Sequence, residues 1–346
     1  MKKIGAVEAM RGIAATYVFL GHVAIEVIER GSPLLLPMLF GQEAVMLFFL
    51  VSGFVIVYSM EGARDKTFAS YLDRRFFRIY PIYILSLALS ALAYQKGTVA
   101  DFFGNLFMLQ DFKYGKPGVL FDTFGGNVAL WSLSYEWWFY LMFFPLWRYV
   151  PERLQFTLVS AVGMTAGALF FAVKFQPLLF LAYFPVWWAG VEMGRAVFRG
   201  QPIPFGRIIT ALCLLTAVFA AGAGLEIWQT RTVSFGVHPM LELRHIAASL
   251  IFVVVLALYL RFRPFDVSPL LRPFEKLAPI SYALYALHMP VIVYILADKP
   301  SKPVMALAML TVPFMLAWFG EKPYQSAVMW LRARVRARLG ASAGAR

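Results

Sequence analysis

Met10-Arg11-Gly12-Ile13-Ala14-Ala15-Thr16-Tyr17-Val18-Phe19-Leu20-Gly21-His22 opens the first long apolar segment of the chain. Arg11 and His22 lie eleven positions apart. At about 3.6 residues per turn this is close to three turns, so both side chains share one helical face, roughly 16 Å apart along the axis. Glu8 precedes Arg11 by three residues and Glu26 follows His22 by four, which lengthens the polar stripe. Ionisable groups are costly in hydrocarbon, so on a helix this apolar they face protein or a water-filled cavity. Two readings of His22 stand side by side: a structural hydrogen bond between helices, or an ionisable group at a site.

Outward from that stretch, the whole chain has a membrane composition. Its 346 residues are 60% hydrophobic and 17% aromatic, only 15% are charged, and the mean hydropathy is +0.68. A soluble domain of this length does not look like this; a polytopic membrane protein does. Cys213 stands alone, which excludes an intramolecular disulfide and a cysteine metal cluster. The net charge of +13 is spread in short basic clusters between apolar runs, the pattern of the positive-inside rule, so no nucleic-acid partner is expected. The sequence predicts an all-α fold of about ten transmembrane helices, roughly 13–29, 39–60, 79–94, 130–147, 157–173, 178–195, 208–224, 246–260, 280–297 and 304–320. With the N-terminus inside, 23 basic residues fall on the cytoplasmic side and 9 outside, which places both termini in the cytoplasm. Residues 1–330 form one transmembrane domain, and 331–346 a basic tail whose Arg332, Arg334, Arg336 and Arg338 meet anionic lipid. The outer connection 95–129 is expected to dip back into the protein as a re-entrant loop. A second outer loop, 225–245, holds His238 and Arg244. No cleavable signal peptide is expected, because the first apolar segment is too long and lacks a small-residue cleavage site.

Four further groups of residues carry chemistry. Arg75 and Arg78 are an i,i+3 pair beside Arg74, at the cytoplasmic mouth of the third span, where Pro81 fits a helix start or kink. They read as topology signal and lipid-headgroup contact, or as a clamp whose guanidinium forks match phosphate oxygens. Ser132, Glu136 and Tyr140 stack at i,i+4 near the outer face, with Trp131, Trp137 and Trp138 as candidates for an interfacial belt. A glutamate in this setting belongs to a site or a polar network. Gly53, in Ser52-Gly53-Phe54, suits close helix approach. Ser281, Tyr285 and His288 form a polar stripe on the ninth span, where His288 fits a structural role as well as a catalytic one. The histidines and carboxylates show no metal-ligand spacing, so no metal is expected.

Taken in order, these motifs resemble the acyltransferase 3 family, the integral-membrane O-acyltransferases of bacterial surface glycans and related sugars. The resemblance rests on Arg11 with His22, Ser52-Gly53-Phe54, Arg75-Phe76-Phe77-Arg78, Trp131-Ser132-Leu133-Ser134-Tyr135-Glu136, and Ile280-Ser281-Tyr282-Ala283-Leu284-Tyr285-Ala286-Leu287-His288. Glu8 stands where the family usually has aspartate. The resemblance implies a multi-pass enzyme of the bacterial cytoplasmic (inner) membrane. It would move an acyl group, most often acetyl, from acyl-coenzyme A to a hydroxyl of a sugar or glycan that is free or lipid-linked. It implies no permanently bound cofactor; acyl-coenzyme A is a co-substrate. Arg75, Arg78 and Arg11 would hold the coenzyme phosphates, and the pantetheine arm would run along the first helix to His22. His22 would act as general base, since an imidazole with an unperturbed pKa of about 6.5 suits proton transfer near neutrality. Glu136 would orient His22 or bind the acceptor from the outer side, and Ser52, Ser132 and Tyr140 are the candidate oxyanion donors. The competing class is a proton-coupled transporter or flippase for a sugar or organic anion, with His22 and Glu136 as a proton relay. Binding or hydrolysis of acetyl-coenzyme A separates the two.

Overall fold

Long apolar runs become helices in a membrane because a helix satisfies its backbone groups within one segment, where each unsatisfied group costs several kcal/mol. The computed structural model describes residues 4–29, 32–94, 97–297 and 301–343, apart from the side chains of Tyr94, Lys302, Arg336 and residues 338–343. Lys2, Lys3, Arg30, Lys96, Lys299 and Arg346, all counted in the charge bias, lie outside the described residues. Thirteen α-helices occur among them. They are α1 (Gly5–Val27), α2 (Gly41–Glu61), α3 (Phe68–Tyr94), α4 (Val99–Leu106), α5 (Trp131–Tyr149), α6 (Glu152–Val173) and α7 (Pro177–Phe198). Then come α8 (Phe205–Thr230), α9 (Met240–Phe262), α10 (Ser268–Glu275), α11 (Ser281–Ala297), α12 (Lys302–Phe319) and α13 (Gln325–Ala343).

Each of the ten predicted spans coincides with one of these helices. Among the described residues, seven segments are long and apolar enough to cross a membrane. They contain α2, α3, α6, α8, α9, α11, and the stretch Pro303–Val335 that runs from α12 into α13. The other three, α1, α5 and α7, have 23, 19 and 22 residues, a spanning length. Their apolarity is diluted by Glu8, Arg11 and His22, by Ser132, Ser134 and Glu136, and by Glu192 and Arg195. Most of α7 is buried inside the bundle, where lipid is not its solvent.

The tightest pairing joins α2 to α7. A Cβ on Gly53 would lie 2.0 Å from the Trp187 carbonyl oxygen, and one on Gly190 would lie 1.9 Å from that of Leu50. Glycine on both faces lets the two backbones touch, as in other membrane helix pairs. Around this contact Phe139, Phe143, Phe184, Trp187 and Trp188 build an aromatic core with edge and tilted ring contacts.

The structure moves several predicted boundaries. α3 begins at Phe68, so Arg74, Arg75 and Arg78 ride its first turns, and Pro81 lies inside the helix rather than at its start. α8 reaches Thr230 and α9 begins at Met240, so Arg244 is helical and the expected 225–245 loop is much shorter. The tail is also more than a lipid-facing strip. α13 docks on α3, where Arg332 pairs with Asp73 and lies 4.6 Å from the Phe77 ring centroid. The connection 95–129, among its described residues, folds back into the protein, and it adds a small exception to the all-α reading. Gln110–Asp111 and Phe121–Asp122 form a two-residue parallel strand pair. Asp111 is fully buried and pairs with Lys116 at 3.0 Å, and Lys116 sits 3.9 Å above the Trp131 ring. This buried pair ties the connection to the top of α5.

Candidate active site

Two cavities lie along α1, one toward each end of the stretch from Arg11 to His22. The first holds about 170 Å³ and is lined by Arg11, Arg75, Arg78, Ser52, Ser132, Glu136, Tyr140, Ser281, Tyr282 and Tyr285, with an apolar wall from α2. Every residue proposed from the sequence lines it except His22 and His288. Three guanidinium groups and one carboxylate line the same space, so cationic groups dominate its charged lining.

Each arginine is held differently. Arg11 pairs with Glu8 one turn earlier at 3.5 Å. Arg75 reaches Ser59 Oγ at 3.4 Å, and its buried Nε has no hydrogen-bond partner among the described residues. A buried unsatisfied donor of this kind costs about 1–3 kcal/mol. Arg78 donates to Glu321 at 2.6 Å and lies over the Tyr282 ring at 5.4 Å. Glu321 sits on the π-helical turn Gly320–Tyr324, which is clamped to α3 by Tyr324 donating to the Pro81 carbonyl at 3.0 Å and Gln325 donating to that of Phe77. Neither Glu321 nor Tyr282 emerged from sequence.

Glu136 lines this arginine cavity and bonds there to Ser52 and Tyr140, not to His22, so the expectation that it orients His22 is not met. Its Oε1 accepts from Ser52 Oγ at 2.8 Å and from Tyr140. Trp187 on α7 donates to Ser52 Oγ at 3.1 Å, so α2, α5 and α7 meet at one hydroxyl. The Ser132-Glu136-Tyr140 column therefore splits. Glu136 and Tyr140 bond with Ser52, whereas Ser132 Oγ pairs with the Tyr285 hydroxyl at 2.7 Å.

The second cavity, about 230 Å³, is lined by His22, Gln42, Tyr285, Trp131, Phe112 and an apolar set that includes Val18, Met38, Leu39 and Val45. The short segment Pro33–Met38 crosses α1 here. Tyr17 donates to the Pro37 carbonyl, and Gly21 leaves room for the Met38 carbonyl, 2.9 Å from where a Cβ would stand. His22 Nδ1 lies 2.8 Å from His288 Nε2, and the rings stack at 5.0 Å. His288 Nδ1 lies 3.0 Å from the Leu284 carbonyl oxygen. A carbonyl only accepts, so in the neutral pair this partner assigns the hydrogen to His288 Nδ1. His288 Nε2 then accepts, His22 Nδ1 donates, and His22 Nε2 carries a free lone pair. The buried His288 thus fixes which nitrogen of His22 can take a proton.

Tyr285 lines both cavities. The arrangement puts three arginines on one cavity, the His22 imidazole on the other, and Tyr285, bonded to Ser132, on the walls of both.

A family model for an acyltransferase domain, acyltransferase 3, matches residues 4–330. The chain belongs to the acyltransferase 3 family. An acyltransferase, MdmB, from Streptomyces mycarofaciens is 32% identical over 169 residues. That match spans 44% of this chain and 42% of the relative, so the chain covers well under half of that protein's length. No solved structure matches. Its family and the seven segments apolar enough to cross a bilayer among the described residues make the chain a multi-pass membrane protein of the acyltransferase 3 family.

Proposed function

We propose that this acyltransferase moves an acyl group, acetyl in the first instance, from acyl-coenzyme A to a hydroxyl of a sugar or glycan acceptor, free or lipid-linked, at a bacterial cytoplasmic membrane. The observation that carries the reading is the gathering of Arg11, Arg75 and Arg78 on one cavity that shares Tyr285 with the cavity of His22. Phosphates of the coenzyme bind the guanidinium groups from the cytoplasmic side, where the basic bias puts both termini and the tail against anionic lipid. The orphaned Arg75 Nε is then satisfied by a phosphate oxygen. Glu136, bonded to Ser52 and Tyr140, holds the cavity wall in shape and counters part of the positive charge. The arm of the coenzyme carries its thioester along α1 to Tyr285. The acceptor enters the His22 cavity, and His22 Nε2 takes the hydroxyl proton as the oxygen attacks the thioester carbon. His288 keeps His22 in the tautomer this needs. The coenzyme leaves after transfer, as a co-substrate.

The test is titration of coenzyme A into the purified chain. Each charge-assisted phosphate contact is worth about 1.5–3 kcal/mol. Arg75→Ala with Arg78→Ala therefore weakens binding by about 100-fold or more. Unchanged affinity in the folded double variant returns these arginines to a topology role. Absence of coenzyme A binding by the wild-type chain sinks the donor assignment.

A further inference from the structure

In the proposed transfer a negative charge develops on the carbonyl oxygen, and the reaction needs a hydrogen-bond donor within reach of both cavities. Ser52, Ser132 and Tyr140 were the hydroxyls first suited to this. Ser52 and Tyr140 are both committed to Glu136 Oε1 on the arginine side of the site. Ser132 is paired with Tyr285, and Tyr285 is the hydroxyl-bearing side chain common to the linings of both cavities. Its ring also lies against His288, at 6.2 Å between centroids, one ring removed from His22.

The hydrogens can be counted. Ser132 Oγ and Tyr285 Oη have two hydrogens between them, and their mutual bond uses one. With Ser132 donating, the Tyr285 hydrogen is free to point at a third atom. The Tyr285 side chain is buried, so water competes little for that hydrogen.

We propose that Tyr285, held by Ser132, donates the hydrogen bond that receives the carbonyl oxygen of the transferred acyl group. This rests on the acyl-transfer reading above. The acceptor oxygen bonds to the thioester carbon, and the carbonyl electron pair moves to its oxygen, where the Tyr285 hydroxyl meets it. The acceptor proton passes to His22 Nε2. The carbonyl then re-forms, the carbon–sulfur bond breaks, and the leaving thiolate takes the proton from His22. The products are the ester and the free thiol. Tyr285 is a catalytic residue in this scheme, and Ser132 is a positioning residue that sets the direction of its hydrogen.

The experiment follows free thiol release by the full chain in nanodiscs, with acetyl-coenzyme A as donor and octyl glucoside as the source of sugar hydroxyls. Tyr285→Phe keeps the ring and removes the donor. Its kcat should fall about 100- to 1,000-fold, the usual loss for one oxyanion donor. KM for acetyl-coenzyme A should stay within about twofold, because uniform binding is untouched. Ser132→Ala should lower kcat less, by about tenfold, through loss of one orienting hydrogen bond. A folded Tyr285→Phe with kcat within threefold of wild type overturns the proposal. If Tyr285→Phe does not fold, 3,5-difluorotyrosine placed at 285 reads the same bond. A stronger donor must change kcat by twofold or more at constant KM, and an unchanged kcat overturns the assignment. Wild-type chain that binds coenzyme A yet releases no thiol refutes the transfer reading itself, and this proposal with it. Wild-type turnover beside an unaffected Tyr285→Phe refutes this proposal alone.

Discussion

Replacing Gly53 by alanine tests whether the site is held by backbone contact rather than by its polar bonds alone. The new Cβ would lie 2.0 Å from the Trp187 carbonyl oxygen, 3.0 Å from its carbon and 3.2 Å from the Val191 nitrogen. These are backbone atoms on α7, so no side chain can swing aside. Gly190 and Gly194 pin the same helix pair from the other face, where a Cβ would meet the Leu50 and Phe54 carbonyl oxygens at 1.9 and 2.6 Å. The helices must therefore part by roughly 1 Å along their contact, and overpacking of this kind typically costs about 1–3 kcal/mol. Ser52, one residue away, joins α2 to Glu136 at 2.8 Å and to Trp187 at 3.1 Å, and a shift of that size breaks both bonds. A misplacement of about 1 Å can cost about 100-fold in rate. Thermal unfolding in nanodiscs and thiol release from acetyl-coenzyme A give the readouts. Gly53→Ala should show a lower Tm and a transfer rate down by about 100-fold. Gly206→Ala, where nothing lies within 4 Å of the added carbon, should match wild type in both. Wild-type stability and rate in Gly53→Ala would show that α2 and α7 do not meet on this residue.

Two other outcomes follow from the geometry. His22→Gln keeps a hydrogen-bonding side chain beside His288 but cannot take a proton at neutral pH. Its transfer rate should fall by about 100- to 10,000-fold with coenzyme A affinity unchanged, whereas His288→Ala, which removes only the orienting partner, should cost about five- to tenfold; a near-normal rate in His22→Gln would make His22 structural. For topology, cysteines at Arg64 and Ser301 in a Cys213→Ser background should differ, with Ser301→Cys labelled from outside and Arg64→Cys only after permeabilisation; the reverse pattern would move the arginine cavity to the opposite face.

Helices were legible because apolar runs of spanning length have few alternatives in lipid. Helix periodicity also placed Arg75 with Arg78, and Ser281 with Tyr285, on shared faces, as their common cavity shows. The boundaries were less legible. Hydropathy starts the third span at residue 79, but the helix runs on through Arg74, Arg75 and Arg78, because charged residues outside the apolar window are good helix formers. The pairings across the bundle were not legible at all. Ser132 and Glu136 share an i,i+4 spacing, yet one bonds to Tyr285 on α11 and the other to Ser52 on α2. Spacing along one helix says which side chains are neighbours and nothing about which helix stands opposite. For the same reason the sequence left His288 open between two roles, and it offered no route to Glu321, whose partner Arg78 is 243 positions away.

Arg11 and His22 ride one unbroken helix, so α1 acts as a ruler. Its length between the two marks is set by eleven residues of backbone hydrogen bonding and does not adapt to the guest. In the proposed reaction a donor is admitted by reach. A thioester on too short an arm can occupy the arginines or approach the imidazole, but not both at once. Insertion of one residue between the marks would lengthen the ruler by about 1.5 Å and turn His22 by about 100°, away from His288. The interval between the two side chains is therefore as much a part of the catalyst as the side chains themselves.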